Sequence, residues 1–116
     1  MEIKTLEETI VIVAESYSKK FKIPLTRTYI QSKLYEEIGE LAQALMVYDE
    51  LVRPEKRTSR EAAKEMVAKE LADVIGMAFL TAHLLGVDME KAFTEKWVSY
   101  LPSPEASPSL GSDNRD

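Results

Sequence analysis

Residues 33–45 read KLYEEIGELAQAL and residues 69–80 read KELADVIGMAFL. Both set acids into an apolar helical pattern: Glu36, Glu37 and Glu40 in the first, Glu70 and Asp73 in the second. At about 100° per residue, Ile30, Leu34, Ile38, Leu41, Leu45, Tyr48 and Val52 gather into one stripe, the side of a helix that faces a core. Glu37 lies on the flank of that stripe, Glu40 further round and Glu36 outermost, on the wet side. In the second segment Met66, Val67, Leu71, Val74, Met77, Ala78, Leu80, Leu84 and Leu85 form a broad apolar face with Glu70 and Asp73 inside it. Acids are almost never fully buried unless paired, because an unpaired buried charge is costly. These acids need compensation.

Two explanations fit the residues. Glu36, Glu37 and Glu40 can be a solvated face with ordinary partners, such as Lys33 to Glu37 at i,i+4, and Glu70 and Asp73 can meet lysines or arginines from elsewhere. Alternatively the two clusters face one another across antiparallel helices. Four carboxylates converging without a cation would drive their own protonation, whereas a hard divalent ion such as magnesium or manganese takes oxygen ligands of this kind.

The order Glu-Glu-x-x-Glu (Glu36, Glu37, Glu40) followed by Glu-x-x-Asp (Glu70, Asp73) resembles the signature of the MazG-like all-α nucleoside triphosphate pyrophosphohydrolases. The resemblance runs from Lys33 to Lys96 and includes KELADVIGMAFLTAHLLGVDMEKAFTEK. It implies a four-helix, all-α bundle that hydrolyses a nucleoside triphosphate to the monophosphate and pyrophosphate. Glu37, Glu40, Glu70 and Asp73 would hold Mg2+, with Mn2+ as the substitute. Glu36 would act as base or as ligand to a substrate-borne ion, and Lys33 and Lys96 would meet phosphate oxygens. Lys33 could equally pair with Glu37. The Asn and Arg that often follow the lysine in the family are absent after Lys96, where the chain reads WVSYLPSP. The resemblance also implies a homodimer or homotetramer. Two other readings remain: phosphoribosyl-ATP pyrophosphohydrolase, with the same fold and metal chemistry, and a non-catalytic helical interaction module whose acids are structural.

Composition agrees with one small domain. The 116 residues are 45% hydrophobic and 30% charged, enough for a single core. The net charge of −5, without a run of Lys or Arg, argues against nucleic-acid polymers and membrane surfaces as partners. There is no cysteine, which excludes disulfides and thiolate zinc sites. The opening MEIKTLEETIVIVAES is too short in its apolar run and too acidic for a signal peptide. A cytoplasmic protein is expected.

In chain order, Thr5 with Glu8 reads as a capping box for a first helix ending near Lys19-Lys20. Pro24 marks a loop over residues 21–26. Thr28 with Gln31 predicts the start of a second helix ending near Val52. Thr58 with Glu61, or Ser59, caps a third that stops at Gly86, and Asp88 caps a fourth running to about Tyr100. From Pro102 the chain reads PSPEASPSLGSDNRD, a composition that predicts a disordered tail over residues 102–116, outside a domain of residues 1–101. His83, the sole histidine, lies on the side of its helix away from Glu70 and Asp73. No Glu stands three residues before it, which removes the Glu-x-x-His pairs of a di-iron bundle. Tyr29, Tyr48 and Trp97 can stack on a base or fill the core.

Overall fold

The helix starts follow from side chains that accept otherwise unpaired backbone N–H groups. Thr26 Oγ1 accepts from Tyr29 N at 3.1 Å, Ser59 Oγ from Ala62 N at 3.1 Å and Asp88 Oδ1 from Lys91 N at 3.0 Å. In the computed structural model, which describes residues 1–103, these caps open three of four α-helices. They are α1 (Ile3–Phe21), α2 (Arg27–Tyr48), α3 (Arg60–Leu85) and α4 (Met89–Lys96), with short 3-10 turns at Pro54–Lys56 and Val98–Tyr100. There is no strand among the described residues, and the all-α expectation holds. No single helix there is long and apolar enough to cross a membrane. Of the predicted tail, residues 104–116 lie outside the described residues.

Two starts differ from the predicted ones. Thr26, not Thr28, caps α2. At α1 the cap position is Glu2, whose side chain makes no capping bond, and Thr5 lies inside the helix, where its carbonyl accepts from the Thr9 hydroxyl at 2.9 Å.

The ends of α1, α2 and α3 share one device: a left-handed residue follows the helix, and the next N–H reaches back to the carbonyl five residues earlier. Lys22 (φ 56°) serves α1, with Ile23 N donating to Ser18 O at 3.0 Å. Glu50 (φ 58°) serves α2, with Leu51 N donating to Met46 O at 2.8 Å. Gly86 (φ 68°) serves α3, with Val87 N donating to Ala82 O at 2.8 Å. Glycine takes this conformation at little steric cost, which is why the third end was legible. The other two are held by residues that pay a Cβ penalty. Thus α2 stops at Tyr48 rather than near Val52. Likewise α4 gives way to a 3-10 turn at Val98–Tyr100 instead of continuing as α-helix to Tyr100.

Helix α2 packs chiefly on α3, while α1 packs on α3 and touches α4. The α2–α3 pair is antiparallel. Tyr48 meets Arg60 at one end, Glu37 meets Glu70 and Asp73 in the middle, and Ile30 joins Leu80 and Val11 in the core at the other. Ile10, Ala14, Leu25, Tyr29 and Met77 pack around that core.

The buried row of α2 is Ile30, Glu37 and Ala44, rotated from the predicted stripe toward the acids. Ile38 and Leu45, expected in the core, are 46% and 42% exposed. On α3 the buried residues are Ala63, Gly76, Phe79, Leu80 and Ala82, whereas Met66, Leu71, Leu84 and Leu85 are exposed. By the register of the antiparallel pair, Ala44 and Ala63, both buried, fall at the same level.

Glu50 offers a direct test of the α2 terminus. Glu50→Gly should remove the left-handed Cβ penalty and stabilise the protein by roughly 1 kcal/mol, read as a higher midpoint in urea with an unchanged slope. A lower midpoint would mean that residue 50 is not left-handed.

Candidate functional site

Halfway along the α2–α3 interface, one carboxylate oxygen from each of Glu37, Glu70 and Asp73 lies within 4.8 Å of the others. Each is placed by helix register: Glu37 by the buried row of α2, and Glu70 and Asp73 by one turn of α3. Glu37 is 7% exposed, Glu70 is half-buried and Asp73 reaches solvent. Glu37 Oε2 and Glu70 Oε2 are buried with no hydrogen-bond partner. Two buried acceptors without a donor are a net cost. They fit a divalent cation, which satisfies several carboxylate oxygens at once.

The electrostatics report the same crowding. The Glu37 carboxyl is pushed up to about 7, mainly by burial, then by hydrogen bonding with and repulsion from Glu40, repulsion from Asp73 and contact with Glu70. Glu70 is raised too. Burial leads, a hydrogen bond with Glu37 opposes it, and the charges of Glu40 and Asp73 add to the rise. Glu40 is therefore a neighbour of the cluster, although its oxygens fall outside the closest trio.

Glu36 lies apart, its side chain 54% exposed and bound to Lys33. Lys33 stands between the two acids of its own helix, hydrogen-bonded to Glu36 and 3.6 Å from Glu37. The hydrogen bond to Glu36 raises its pKa against the lowering effect of burial. Of the two partners left open for Lys33, Glu37 lies within ion-pair distance, and Lys33 also lines a cavity beside the acids.

Two cavities flank the cluster. One, of about 420 Å³, lies among α1, α2 and α3; Val13, Tyr17, Tyr29 and Met77 line it together with Lys33 and Asp73. The other, of about 470 Å³, is lined by Glu40, Gln43, Val47, Lys56, Met66 and Glu70. Lys96 lines neither, His83 is exposed, and Trp97 is 70% exposed. Of the aromatic residues singled out in the sequence, Tyr29 lines the first cavity, whereas Tyr48 carries Arg60 over its ring at 4.3 Å. Sequence reading missed Tyr17 and Lys56. Tyr17 was visible only as one residue of the α1 apolar pattern, and Lys56 lies in a turn that no helical periodicity reaches.

Residues 3–96 match the model of the phosphoribosyl-ATP pyrophosphohydrolase family. The chain belongs to this family, within the MazG-like all-α pyrophosphohydrolases. The uncharacterized protein YvdC of Bacillus subtilis (strain 168) is similar to it, with 43% identity over 68 residues, 54% of this chain and 64% of the relative. The matched stretch therefore spans less than two thirds of that relative. No solved structure matches the chain.

The raised Glu37 pKa sets a pH dependence. Between the ordinary 4.5 and about 7, the folded state holds a proton that the unfolded chain has released, so stability falls as pH rises through that window. Metal-free protein should show a melting temperature that declines from pH 4.5 to 7 through this group. Glu37→Gln should flatten the decline, and magnesium should offset it at pH 7.5. A wild-type decline that Glu37→Gln leaves unaltered would overturn the assignment.

Proposed function

We propose that the protein is a magnesium-dependent nucleoside triphosphate pyrophosphohydrolase, converting an NTP or dNTP and water to the monophosphate and pyrophosphate in the upkeep of the cytoplasmic nucleotide pool. The observation that carries this reading is the pair of buried, unpartnered oxygens of Glu37 and Glu70, close to Asp73 and Glu40, between two cavities in a member of a pyrophosphohydrolase family.

Glu37, Glu40, Glu70 and Asp73 are the residues to hold Mg2+, or Mn2+ in its place. A bound ion supplies positive charge against the phosphate oxygens and makes water a better nucleophile near neutral pH. In the reaction a water oxygen bonds to the α-phosphorus, the bond from that phosphorus to the α,β-bridging oxygen breaks, and pyrophosphate leaves with that oxygen. Glu36, exposed outside the buried trio and bonded to Lys33, is the candidate to take the water proton. Lys33 is placed to meet a phosphate oxygen, and Lys96 is a second candidate from α4.

The family match supports a second substrate, phosphoribosyl-ATP, which presents the same triphosphate. A non-catalytic module is disfavoured by the cost of burying Glu37 Oε2 and Glu70 Oε2 without a hydrogen-bond partner.

We also read the protein as a homodimer or homotetramer. Ile12 and Val13 on α1, Ile38 and Leu45 on α2, and Leu71 and Ile75 on α3 are all at least 42% exposed, more apolar surface than a small monomer ordinarily leaves in water. Light scattering should give at least twice the 13.1 kDa chain mass; a monomer at micromolar concentration would refute this.

Pyrophosphate release with magnesium, measured across common and modified nucleoside triphosphates and phosphoribosyl-ATP, tests the activity. Glu70→Gln and Asp73→Asn should each lower turnover on the order of 100-fold or more. The same changes should keep or raise the melting temperature of metal-free protein, because they relieve like-charge repulsion. Glu65→Gln, on an exposed position of α3, should do neither. Unchanged turnover together with loss of stability would make these acids structural.

A further inference from the structure

Both cavities beside the acids have apolar walls and one lysine, but tyrosines line only the first, whereas Gln43 and two of the acids line the second. We propose that Lys56 binds the leaving pyrophosphate in the cavity on the Glu40 and Glu70 side, with the nucleoside lying in the apolar cavity on the Asp73 side. This rests on the hydrolase reading above and adds to it an orientation and a binding residue.

The acid cluster contributes to both spaces: Asp73 to the first, Glu40 and Glu70 to the second. A phosphate chain centred on the cluster therefore extends into both. A nucleobase is flat, with apolar faces that stack on aromatic rings, and small-molecule sites are commonly apolar with few polar groups. Val13, Tyr17, Tyr29 and Met77 provide such walls. Pyrophosphate has no apolar face and needs cations and N–H donors. Lys56 and Gln43 offer both in the second cavity.

Lys56 is also the less engaged of the two lysines beside the acids. Lys33 is hydrogen-bonded to Glu36 and close to Glu37, whereas Lys56 makes no ion pair among the described residues. Its backbone is nonetheless fixed. Lys56 N donates to Arg53 O at 2.9 Å and Arg57 N to Pro54 O at 3.1 Å, in a 3-10 turn whose first residue is a proline. A held backbone carrying a free, exposed ammonium suits a group that must take a product and release it.

The test uses the full chain loaded with magnesium and separates the two products. Calorimetry on wild type should show binding of both pyrophosphate and nucleoside monophosphate. Lys56→Gln should weaken pyrophosphate on the order of tenfold, raise KM with a smaller change in kcat, and leave the monophosphate affinity alone; Lys56→Arg should recover most of the loss. Tyr17→Ala should do the reverse, weakening the monophosphate and sparing pyrophosphate. Lys64→Gln, an exposed change of equal charge lining neither cavity, should alter neither affinity. If Lys56→Gln weakens both products equally, or neither, the proposal is wrong while the hydrolase reading stands. A wild type that releases no pyrophosphate from any nucleotide would remove the hydrolase reading itself.

Discussion

Carboxylates pressed together inside the α2–α3 interface are the constraint that the rest of the chain must hold against. Glu37 occupies the middle of the buried row of α2, a place where an apolar residue would ordinarily stabilise the pair. The helices are held around it from both ends. On one side Ile30, Leu80 and Val11 form the apolar core. On the other the Arg60 guanidinium donates to the Tyr48 hydroxyl at 3.0 Å and lies over its ring. Packing at the ends opposes repulsion in the centre, as expected where a site is prepared for a cation that the bare chain does not supply.

The outward apolar surface follows from the same arrangement. Because the acids occupy part of the α2–α3 contact, less apolar area is buried there than the sequence offers. The bulkier residues Ile38, Leu45, Leu71 and Ile75 remain exposed. A chain of this size buries only about two thirds of the surface its unfolded form exposes, less than a larger domain does. The apolar patterns of α2 and α3 are therefore wider than the faces one chain covers, and a second copy is the partner proposed to use them.

Much of this was legible in the sequence, and the failures have identifiable causes. The helices, their order, the caps at Ser59 and Asp88 and the glycine stop at Gly86 depend on local chemistry, which a sequence shows directly. The ends at Lys22 and Glu50 were hidden because a left-handed turn was built there without glycine. The core stripe of α2 was misplaced because periodicity finds the apolar centre of a wheel, while Ala44 and the rotation toward Glu37 decide which side packs. Spacing on two helices left open whether Glu37, Glu70 and Asp73 converge, and the resemblance implied that they do. The place of Lys56 was not legible, since it lines the cavity of Glu40 and Glu70 from a turn whose position depends on tertiary structure.

That last point bears on how the site balances charge. The proposed nucleoside triphosphate would bring several negative charges to a cluster already rich in carboxylates, and one divalent ion would not neutralise both. Further positive charge must come from side chains. After Lys96 the Asn and Arg that often follow in the family are missing, and Lys96 itself lines neither cavity. Lys33 is engaged by Glu36 and Glu37 before any substrate arrives. The connection between α2 and α3 places the turn Pro54–Lys56 so that Lys56 lines the cavity of Glu40 and Glu70. Under the proposal above, Lys56 supplies positive charge that the residues after Lys96 do not. If Lys56 holds the pyrophosphate as proposed, the α2–α3 connection serves the reaction as well as the antiparallel packing it permits.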